Sequence, residues 1–117
     1  MSKILIVDDD KATATLLRTL FEIEGLEGVV CSRAEEVVSD VRREVPDVLL
    51  MDAHLAEVDC LGILREIKAD PNLREIPVVM VSGMDRSDEF LAEGAAEFVL
   101  KPFKPSDLMS VLRRQLA

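Results

Sequence analysis

Five short apolar runs recur along the chain and are separated by longer stretches with helical periodicity. The runs lie at residues 4–7, 26–31, 47–52, 76–81 and 98–100. Runs this short, without polar alternation, are typical of strands that are covered on both faces, as in a parallel sheet. The second run is weaker than the others, and we interpret it as an edge strand.

The intervening stretches predict five helices. The first ends at Gly25, a suitable residue just beyond a helix end, and Ser32 and Glu35 have the spacing of a capping box before the second. The second helix is predicted to direct an apolar face inwards and to end at Pro46. That face consists of Val37, Val38, Val41 and Val45. The third helix is predicted to use Leu61, Ile63, Leu64 and Ile67 for packing and to stop at the segment 70–72. A short helix over about 87–93 and an amphipathic helix from Pro105 complete the pattern.

Strand and helix therefore alternate five times. This alternation predicts a doubly wound α/β domain, with right-handed crossovers and helices on both faces of a parallel sheet. A chain of 117 residues is long enough for one such domain, and we expect no second one.

Composition narrows the possible partners. The chain has 14 Lys and Arg against 23 Asp and Glu, a formal charge of −9, which disfavours direct binding to nucleic acid or to anionic membranes.

Its two cysteines show no metal-site spacing, so buried thiols in a reducing compartment are the preferred interpretation. With no signal-peptide core and no membrane-length apolar stretch, a cytoplasmic location is expected.

Polar residues follow four of the predicted strands. Asp8 and Asp9 follow the first, Asp52 ends the third, Ser82 follows the fourth and Lys101 follows the fifth. All five fall on the carboxyl edge of the sheet, where open α/β sheets bind ligands. Three carboxylates in one cleft repel each other unless a cation is present or their pKa values are raised. Oxygen ligands favour Mg²⁺, with Mn²⁺ as an alternative.

This set of groups is suited to phosphoryl transfer. A metal ion and Lys101 would neutralise the equatorial oxygens of a phosphoryl group while a carboxylate attacks in line, which yields an aspartyl phosphate. Ser82 could then donate a hydrogen bond to a phosphoryl oxygen, and Gly83 would leave the centre open.

Taken one by one, these residues have simpler interpretations. Asp10 is better explained as a helix N-cap, Ser82 as part of a turn, and Lys101 as a solvated strand end. We interpret His54 as an exposed loop residue rather than a catalytic base, and the five methionines as core residues. The convergence of the five strand-end residues on one edge favours a functional site.

The motifs that carry these residues resemble those of the response-regulator receiver domains of two-component signalling. The matching segments are 4–10, 48–52, 78–83 and 94–103, and the resemblance covers essentially the whole chain. It implies a flavodoxin-like five-stranded sheet in the order 2-1-3-4-5, with five helices. We therefore expect residues 1–117 to form one receiver domain without an output domain, either on its own or as an excerpt of a longer protein.

The resemblance also implies a role for each site residue. It implies Asp52 as the phosphoacceptor, Lys101 as the phosphate-binding lysine and Ser82 as the switch hydroxyl, with Phe98 as an aromatic switch. It further implies a metal site formed by the carboxylates of Asp8, Asp9 and Asp52 and the backbone carbonyl of His54. The phosphoryl donor would be a phosphohistidine on a sensor kinase or phosphotransfer protein. The response would reach a downstream protein or output domain through helix 4, strand 5 and helix 5.

Three departures from the family pattern stand out. Ala56 and Cys60 replace the proline and glycine that many members carry after the acceptor, so we expect a different loop shape. The interval from Ser82 to Lys101 is about one helical turn short, which predicts a truncated fourth helix or a tightened loop. Ala53, His54 and Met84 occupy positions that in the family tune the lifetime of the phosphoryl group.

Three other functions stay open. The chain could be a degenerate receiver that binds a partner constitutively. The departures in the loop leave this open, whereas the intact set of acid, hydroxyl and lysine argues against it. It could instead be a phosphatase with an aspartyl nucleophile, although such enzymes usually carry a second acid where this chain has His54. A flavin-binding protein is less consistent with a sequence that has no Trp or Tyr. Our preferred interpretation is a signalling phosphoacceptor that catalyses its own phosphorylation and dephosphorylation and is not otherwise an enzyme.

Overall fold

Strands and helices alternate along the chain in the computed structural model, which describes residues 1–55 and 58–117. The strands are β1 (Lys3–Val7), β2 (Glu27–Cys31), β3 (Val48–Asp52), β4 (Val78–Ser82) and β5 (Glu97–Leu100). The helices are α1 (Lys11–Ile23), α2 (Val37–Glu44), α3 (Cys60–Ala69), α4 (Ser87–Ala92) and α5 (Pro105–Leu116), and a 3₁₀ turn at Ala34–Glu36 precedes α2. The departure at Ala56 lies outside the described residues.

The five strands form one parallel sheet in the order β2-β1-β3-β4-β5. This confirms the predicted order, with β2 at one edge. The register pairs Val7 with Met51, Asp52 with Val81, and Ser82 with Leu100. The carboxyl ends of the central strands are therefore nearly level, and the residues that follow them share one edge.

Each face of the sheet has its own core. Leu5 and Val7 face a core that includes buried residues of α2, α3 and α4, whereas Ile4 and Ile6 face a second core with α1 and α5. Successive residues of a strand point to opposite faces, so both faces need apolar side chains. This explains the absence of polar alternation in the central strands and confirms the prediction of helices on both faces.

The ends of α1 agree with the sequence. The side chain of Asp10 accepts hydrogen bonds from the backbone N–H groups of Ala12 (3.0 Å) and Thr13 (3.3 Å), so Asp10 is an N-cap as predicted. Gly25 follows the helix with a φ of 80°, a left-handed conformation that glycine adopts without the steric cost of a Cβ.

Two predictions about α2 are wrong, although the helix ends just before Pro46, as predicted. No side-chain cap is formed there, because the chain enters through the 3₁₀ turn at Ala34–Glu36 and the Ser32–Glu35 capping box is not made. Val45 does not join Val37 and Val41 in the core but is 68% exposed. It adopts a left-handed conformation with a φ of 45°. The following Pro46 disfavours a right-handed helical conformation at this position, and the left-handed turn places the side chain in solvent.

The fourth helix has only six residues, and Phe90 is its one buried residue. This agrees with the prediction of a truncated fourth helix. The prediction that all five methionines pack in the core is right for Met51, Met80 and Met109 and wrong for Met1 and Met84, which are exposed. Within residues 1–55 and 58–117, no helix has the length and apolar character that crossing a bilayer requires.

Candidate functional site

Four of the predicted site residues meet at the carboxyl edge of the sheet. Asp52 and Ser82 are the last residues of β3 and β4, and Asp8 and Lys101 directly follow β1 and β5. The backbone N–H of Lys101 donates to the carbonyl of Ser82 at 2.7 Å, which extends the pairing of β4 with β5 by one residue. The strand ends therefore fix the relative positions of these residues.

Both carboxylate oxygens of Asp52 are held by donors. Its Oδ2 lies 3.0 Å from Nζ of Lys101, and its Oδ1 accepts a hydrogen bond of 2.8 Å from the backbone N–H of His54. The Asp52 side chain is 13% exposed and that of Lys101 37%. The Asp52 carboxylate is thus partly desolvated and has a fixed orientation, with a cation beside it. His54 itself is exposed, as predicted.

Asp8 is a buried carboxyl group among other acids. Burial raises its pKa, a hydrogen bond of 2.9 Å from the backbone N–H of Asp10 opposes that rise, and the charge of nearby Asp52 adds to it. Asp9 is exposed and lines a separate depression with Ser32 and other residues, although its charge also acts on Asp8. A nearby cation would relieve this repulsion.

Hard oxygen donors of this kind fit Mg²⁺ or Mn²⁺ better than a softer metal. Within the part of the chain that the structure describes, no three side chains of His, Cys, Asp or Glu are grouped as a ready metal site. An ion here would therefore take some of its ligands from backbone carbonyls and water, which is common for Mg²⁺.

Ser82 is buried and lines the same cavity as Asp52. Its Oγ accepts a hydrogen bond of 3.1 Å from the backbone N–H of Met84, so its proton is free to be donated to an incoming oxygen. Gly83 follows, and a Cβ placed there would meet no other atom within 4 Å. The wall of the site is therefore open at this point, as the sequence suggested.

A cavity of about 420 Å³ opens over Asp52. The residues that line it come from the loops after β3, β4 and β5: Asp52, Ala53, His54, Ser82, Gly83, Met84, Arg86 and Lys101. Asp8 lies against a smaller cavity of about 20 Å³ that also touches Asp52 and Lys101. The main cavity is wide enough for a phosphoryl group and part of its donor. Arg86 was not identified from the sequence.

Phe98 lies on β5, half-buried, and its ring centroid is 6.0 Å from that of Phe90. The guanidinium carbon of Arg86 lies 5.0 Å from the centroid of the Phe90 ring. The predicted aromatic switch is therefore in contact with α4, and Arg86, the residue directly before α4, lines the cavity.

Cys60, one of the departures from the family pattern, contacts the backbone of Asp52. It is buried at the start of α3, and its thiol donates to the backbone carbonyl of Asp52 at an Sγ–O distance of 3.6 Å. Burial raises the pKa of this thiol. Cys31 is buried as well, so both cysteines are buried free thiols as predicted.

Sequence comparisons with known proteins identify the family of the chain. The sequence model of the response regulator receiver domain matches residues 4–113. The DNA-binding response regulator MtrA of Mycolicibacterium smegmatis is 32% identical over 97% of this chain. The phosphate regulon transcriptional regulatory protein PhoB of Rhizobium meliloti is 30% identical over 99% of it. The chain spans 50% and 52% of the lengths of these two relatives, about half of each.

Solved structures show the same fold. A putative response regulator from Chloroflexus aurantiacus superposes with a TM-score of 0.91 at 25% identity, covering 98% of this chain and 97% of that one. The receiver domain of the sensor histidine kinase PA1611 from Pseudomonas aeruginosa gives 0.86 at 26% identity, covering 98% and 97%, and has a magnesium ion coordinated in its active-site cleft. The BeF₃-activated receiver domain of Klebsiella pneumoniae RstA gives 0.87 at 27% identity, covering 98% of each chain.

One prediction about partners is wrong. The charge of −9 predicts that nucleic acid is an unlikely partner, but the relatives include a DNA-binding response regulator and a transcriptional regulatory protein. The charge describes only these 117 residues and carries no information about a DNA-binding region of a longer protein. The fold, the strand-end residues and the family match all agree, and the chain belongs to the response-regulator receiver domains, the phosphorylation-dependent signalling domains of two-component systems.

Proposed function

We propose that Asp52 is the phosphoacceptor of this receiver domain and that phosphorylation requires Mg²⁺. The observation that carries the proposal is the arrangement of the Asp52 carboxylate, which is held by Lys101 and by the backbone N–H of His54 at the floor of an open cavity. A carboxylate fixed in this way has already lost most of the freedom that the reaction would otherwise have to remove.

The reaction is transfer of a phosphoryl group from a phosphohistidine of a sensor kinase or phosphotransfer protein. A carboxylate oxygen of Asp52 forms a bond to phosphorus while the bond from phosphorus to the histidine nitrogen breaks. The electron pair of that bond stays on the imidazole, which takes up a proton. The product is an acyl phosphate on Asp52, and attack of water on phosphorus later returns the carboxylate and inorganic phosphate.

Lys101 and Ser82 act on the phosphoryl oxygens. The Lys101 ammonium is already 3.0 Å from Asp52, so it opposes the negative charge that the transfer adds. Ser82 donates the proton of its hydroxyl to a phosphoryl oxygen, because its lone pair already accepts from Met84. These residues make the domain a catalyst of its own phosphorylation and dephosphorylation, while its role is signalling.

The carboxylates of Asp8, Asp9 and Asp52 and the backbone carbonyl of His54 would hold the metal ion. Bound there, Mg²⁺ supplies positive charge that screens the acids from one another and from the phosphoryl oxygens. Support comes from Asp8, whose pKa is raised first by burial and further by the charges of Asp52 and Asp9, a repulsion that a cation would relieve. Mn²⁺ has the same preference for oxygen ligands and would substitute for Mg²⁺.

Phosphorylation would shift a two-state equilibrium of the domain. Ser82 engages the phosphoryl group, Phe98 repacks, and the surface of α4, β5 and α5 changes for a downstream protein or output domain. The half-buried position of Phe98 beside Phe90 supports this route, because the ring has both a packed and a solvent-facing side. The buried free thiols are consistent with a domain that works in the cytoplasm.

The test is intact mass and peptide mapping after incubation with acetyl phosphate, with and without Mg²⁺. We expect a single phosphoryl adduct, labile to alkali, on Asp52 in the presence of Mg²⁺ and none in Asp52→Asn. A folded protein that forms no adduct would refute the proposal and favour a degenerate receiver. Repeated turnover of small phosphate esters would favour the aspartyl phosphatase.

A further inference from the structure

Arg86 is a second cationic residue that lines the cavity over Asp52. Of the described residues around it, Lys101 and Arg86 carry positive charge, and Lys101 is already paired with Asp52. Arg86 directly precedes α4 and makes two contacts with that helix. Its Nε donates to Oε2 of Glu89 at 2.8 Å, and its guanidinium carbon lies 5.0 Å from the centroid of the Phe90 ring.

Both contacts of Arg86 are of a kind that is easily exchanged. The side chains of Arg86 and Glu89 are 35% and 53% exposed, and ion pairs with this exposure contribute little to stability. A phosphoryl group carries more negative charge than one carboxylate, and it presents oxygens that match the planar fork of a guanidinium. A phosphoryl group in the cavity would therefore be a stronger partner for Arg86 than Glu89 is.

Movement of Arg86 would change the contacts of Phe90. Phe90 is fully buried, is the one buried residue of α4, and packs against Phe98 with a centroid distance of 6.0 Å. Withdrawal of the guanidinium would remove a cation from the face of this ring and break an ion pair in the first turn of α4. Both changes act on the helix whose position is set by Phe90.

We propose that Arg86 couples occupation of the cavity to the Phe90–Phe98 pair, by leaving Glu89 and Phe90 for the phosphoryl oxygens. The inference rests on the proposed phosphorylation of Asp52 and assigns a positioning role that the sequence motifs did not indicate. It differs from the route through Ser82 and Phe98, because it begins at the start of α4 and reaches Phe98 through Phe90.

The aromatic composition makes this proposal easy to test. The chain contains four Phe and neither Trp nor Tyr, so protein labelled with ring-fluorinated phenylalanine gives four ¹⁹F signals. Phe21 lies in the opposite core, with α1 and α5, and serves as an internal reference. Each signal is assigned with a single Phe→Leu variant. The probe is beryllium fluoride with Mg²⁺, which replaces the phosphoryl group, and its own bound ¹⁹F signal reports how much of the site is occupied.

The variants are Arg86→Gln, Arg86→Lys and a matched control, Arg65→Gln. Arg65 is an exposed arginine that pairs with Glu93 at 3.0 Å, and the control therefore removes the same charge and one ion pair with the end of the α4 region. We compare the chemical-shift changes of Phe90 and Phe98 at saturating beryllium fluoride. We expect less than half of the wild-type change in Arg86→Gln, partial recovery in Arg86→Lys, and the wild-type change in Arg65→Gln.

The outcomes separate this proposal from the proposed function. A full wild-type change in Arg86→Gln, with the site occupied, would overturn the role of Arg86 and leave Asp52 as the acceptor. Loss of occupation itself in Arg86→Gln would also overturn it, because Arg86 would then be needed for binding rather than for coupling. Absence of a bound signal in the wild-type protein, together with no adduct from acetyl phosphate, would refute the acceptor site instead.

Discussion

Replacement of Lys101 by methionine tests the electrostatic basis of the site. The change removes the ammonium 3.0 Å from Asp52 and keeps a side chain of similar length. Coulomb's law gives about 5 kcal/mol for two unit charges at this separation and an effective dielectric constant of about 20. Since the Lys101 side chain is 37% exposed, solvent screening reduces the contribution of the pair in the resting protein to about 1 kcal/mol.

Lys101→Met loses more stabilisation during phosphoryl transfer than in the resting protein, because negative charge then develops on the phosphoryl oxygens beside Lys101. Removal of one such donor typically costs about 3 kcal/mol, which corresponds to a rate lower by about 100-fold. We therefore expect Lys101→Met to form the Asp52 adduct with acetyl phosphate about 100-fold more slowly, while the free energy of unfolding falls by only about 1 kcal/mol. Time-resolved intact mass gives the rate, and urea unfolding gives the stability.

Two controls accompany this measurement. Lys104→Met removes the same charge from an exposed residue three positions further on and should leave the labelling rate unchanged. Lys101→Arg keeps the charge and should recover most of the rate. A Lys101→Met protein that is folded and labelled at the wild-type rate would refute the reasoning, because it would show that the ammonium does not oppose the charge of the transferring group.

Three further predictions follow from the structure. Asp9→Ala is expected to weaken Mg²⁺ binding at least about 10-fold in a titration. Asp107→Ala changes an exposed residue on α5 and should leave the Mg²⁺ affinity unchanged. Equal Mg²⁺ affinities of Asp9→Ala and the wild-type protein would remove Asp9 from the ligand set. Val45→Asn should raise the free energy of unfolding by about 0.5 to 1 kcal/mol, since asparagine tolerates the left-handed conformation at φ 45° better than a β-branched residue does; a decrease in urea unfolding would contradict the strain. Burial raises the pKa of Cys31 from 9.0 to about 12, so the unfolded chain loses this proton first and stability should fall as pH rises through that interval; a flat profile between these pH values would contradict it.

The main features of the fold were predictable because the sheet is parallel and covered on both faces. Its central strands need apolar residues at every position, and such runs are conspicuous in the sequence. The ends of these runs then indicate the site, since all the parallel strands finish at one edge. Asp52, Ser82 and Lys101 were found in this way, and the structure places them together.

The failures concern features that depend on local conformation. The Ser32–Glu35 pattern has the spacing of a capping box, but the spacing alone cannot show that the first turn is 3₁₀. Val45 fits a helical stripe by its number in the chain, and the left-handed turn before Pro46 removes it from that stripe. Met84 lies on an exposed loop that no apolar period describes.

Arg86 was missed for a different reason. A single arginine in a polar segment after β4 carries no periodic signal, and its two contacts arise only when α4 forms. The carboxylate of Glu89 and the ring of Phe90 fall within reach of Arg86 because they lie three and four residues further along the chain, respectively. Such a contact requires knowledge of where α4 begins, and boundaries are the least certain part of a sequence-based assignment.

The shortness of α4 has a consequence for local unfolding. Six residues span only about 9 Å, and isolated helices of this length are not stable in water. Phe90 supplies the one buried side chain of α4, so the helix depends on a single anchor. Its amide hydrogens should therefore exchange through local opening, long before those of the central strands, which open only with the whole domain. Because local unfolding of α4 requires little free energy, the helix can also be reorganised at little free-energy cost.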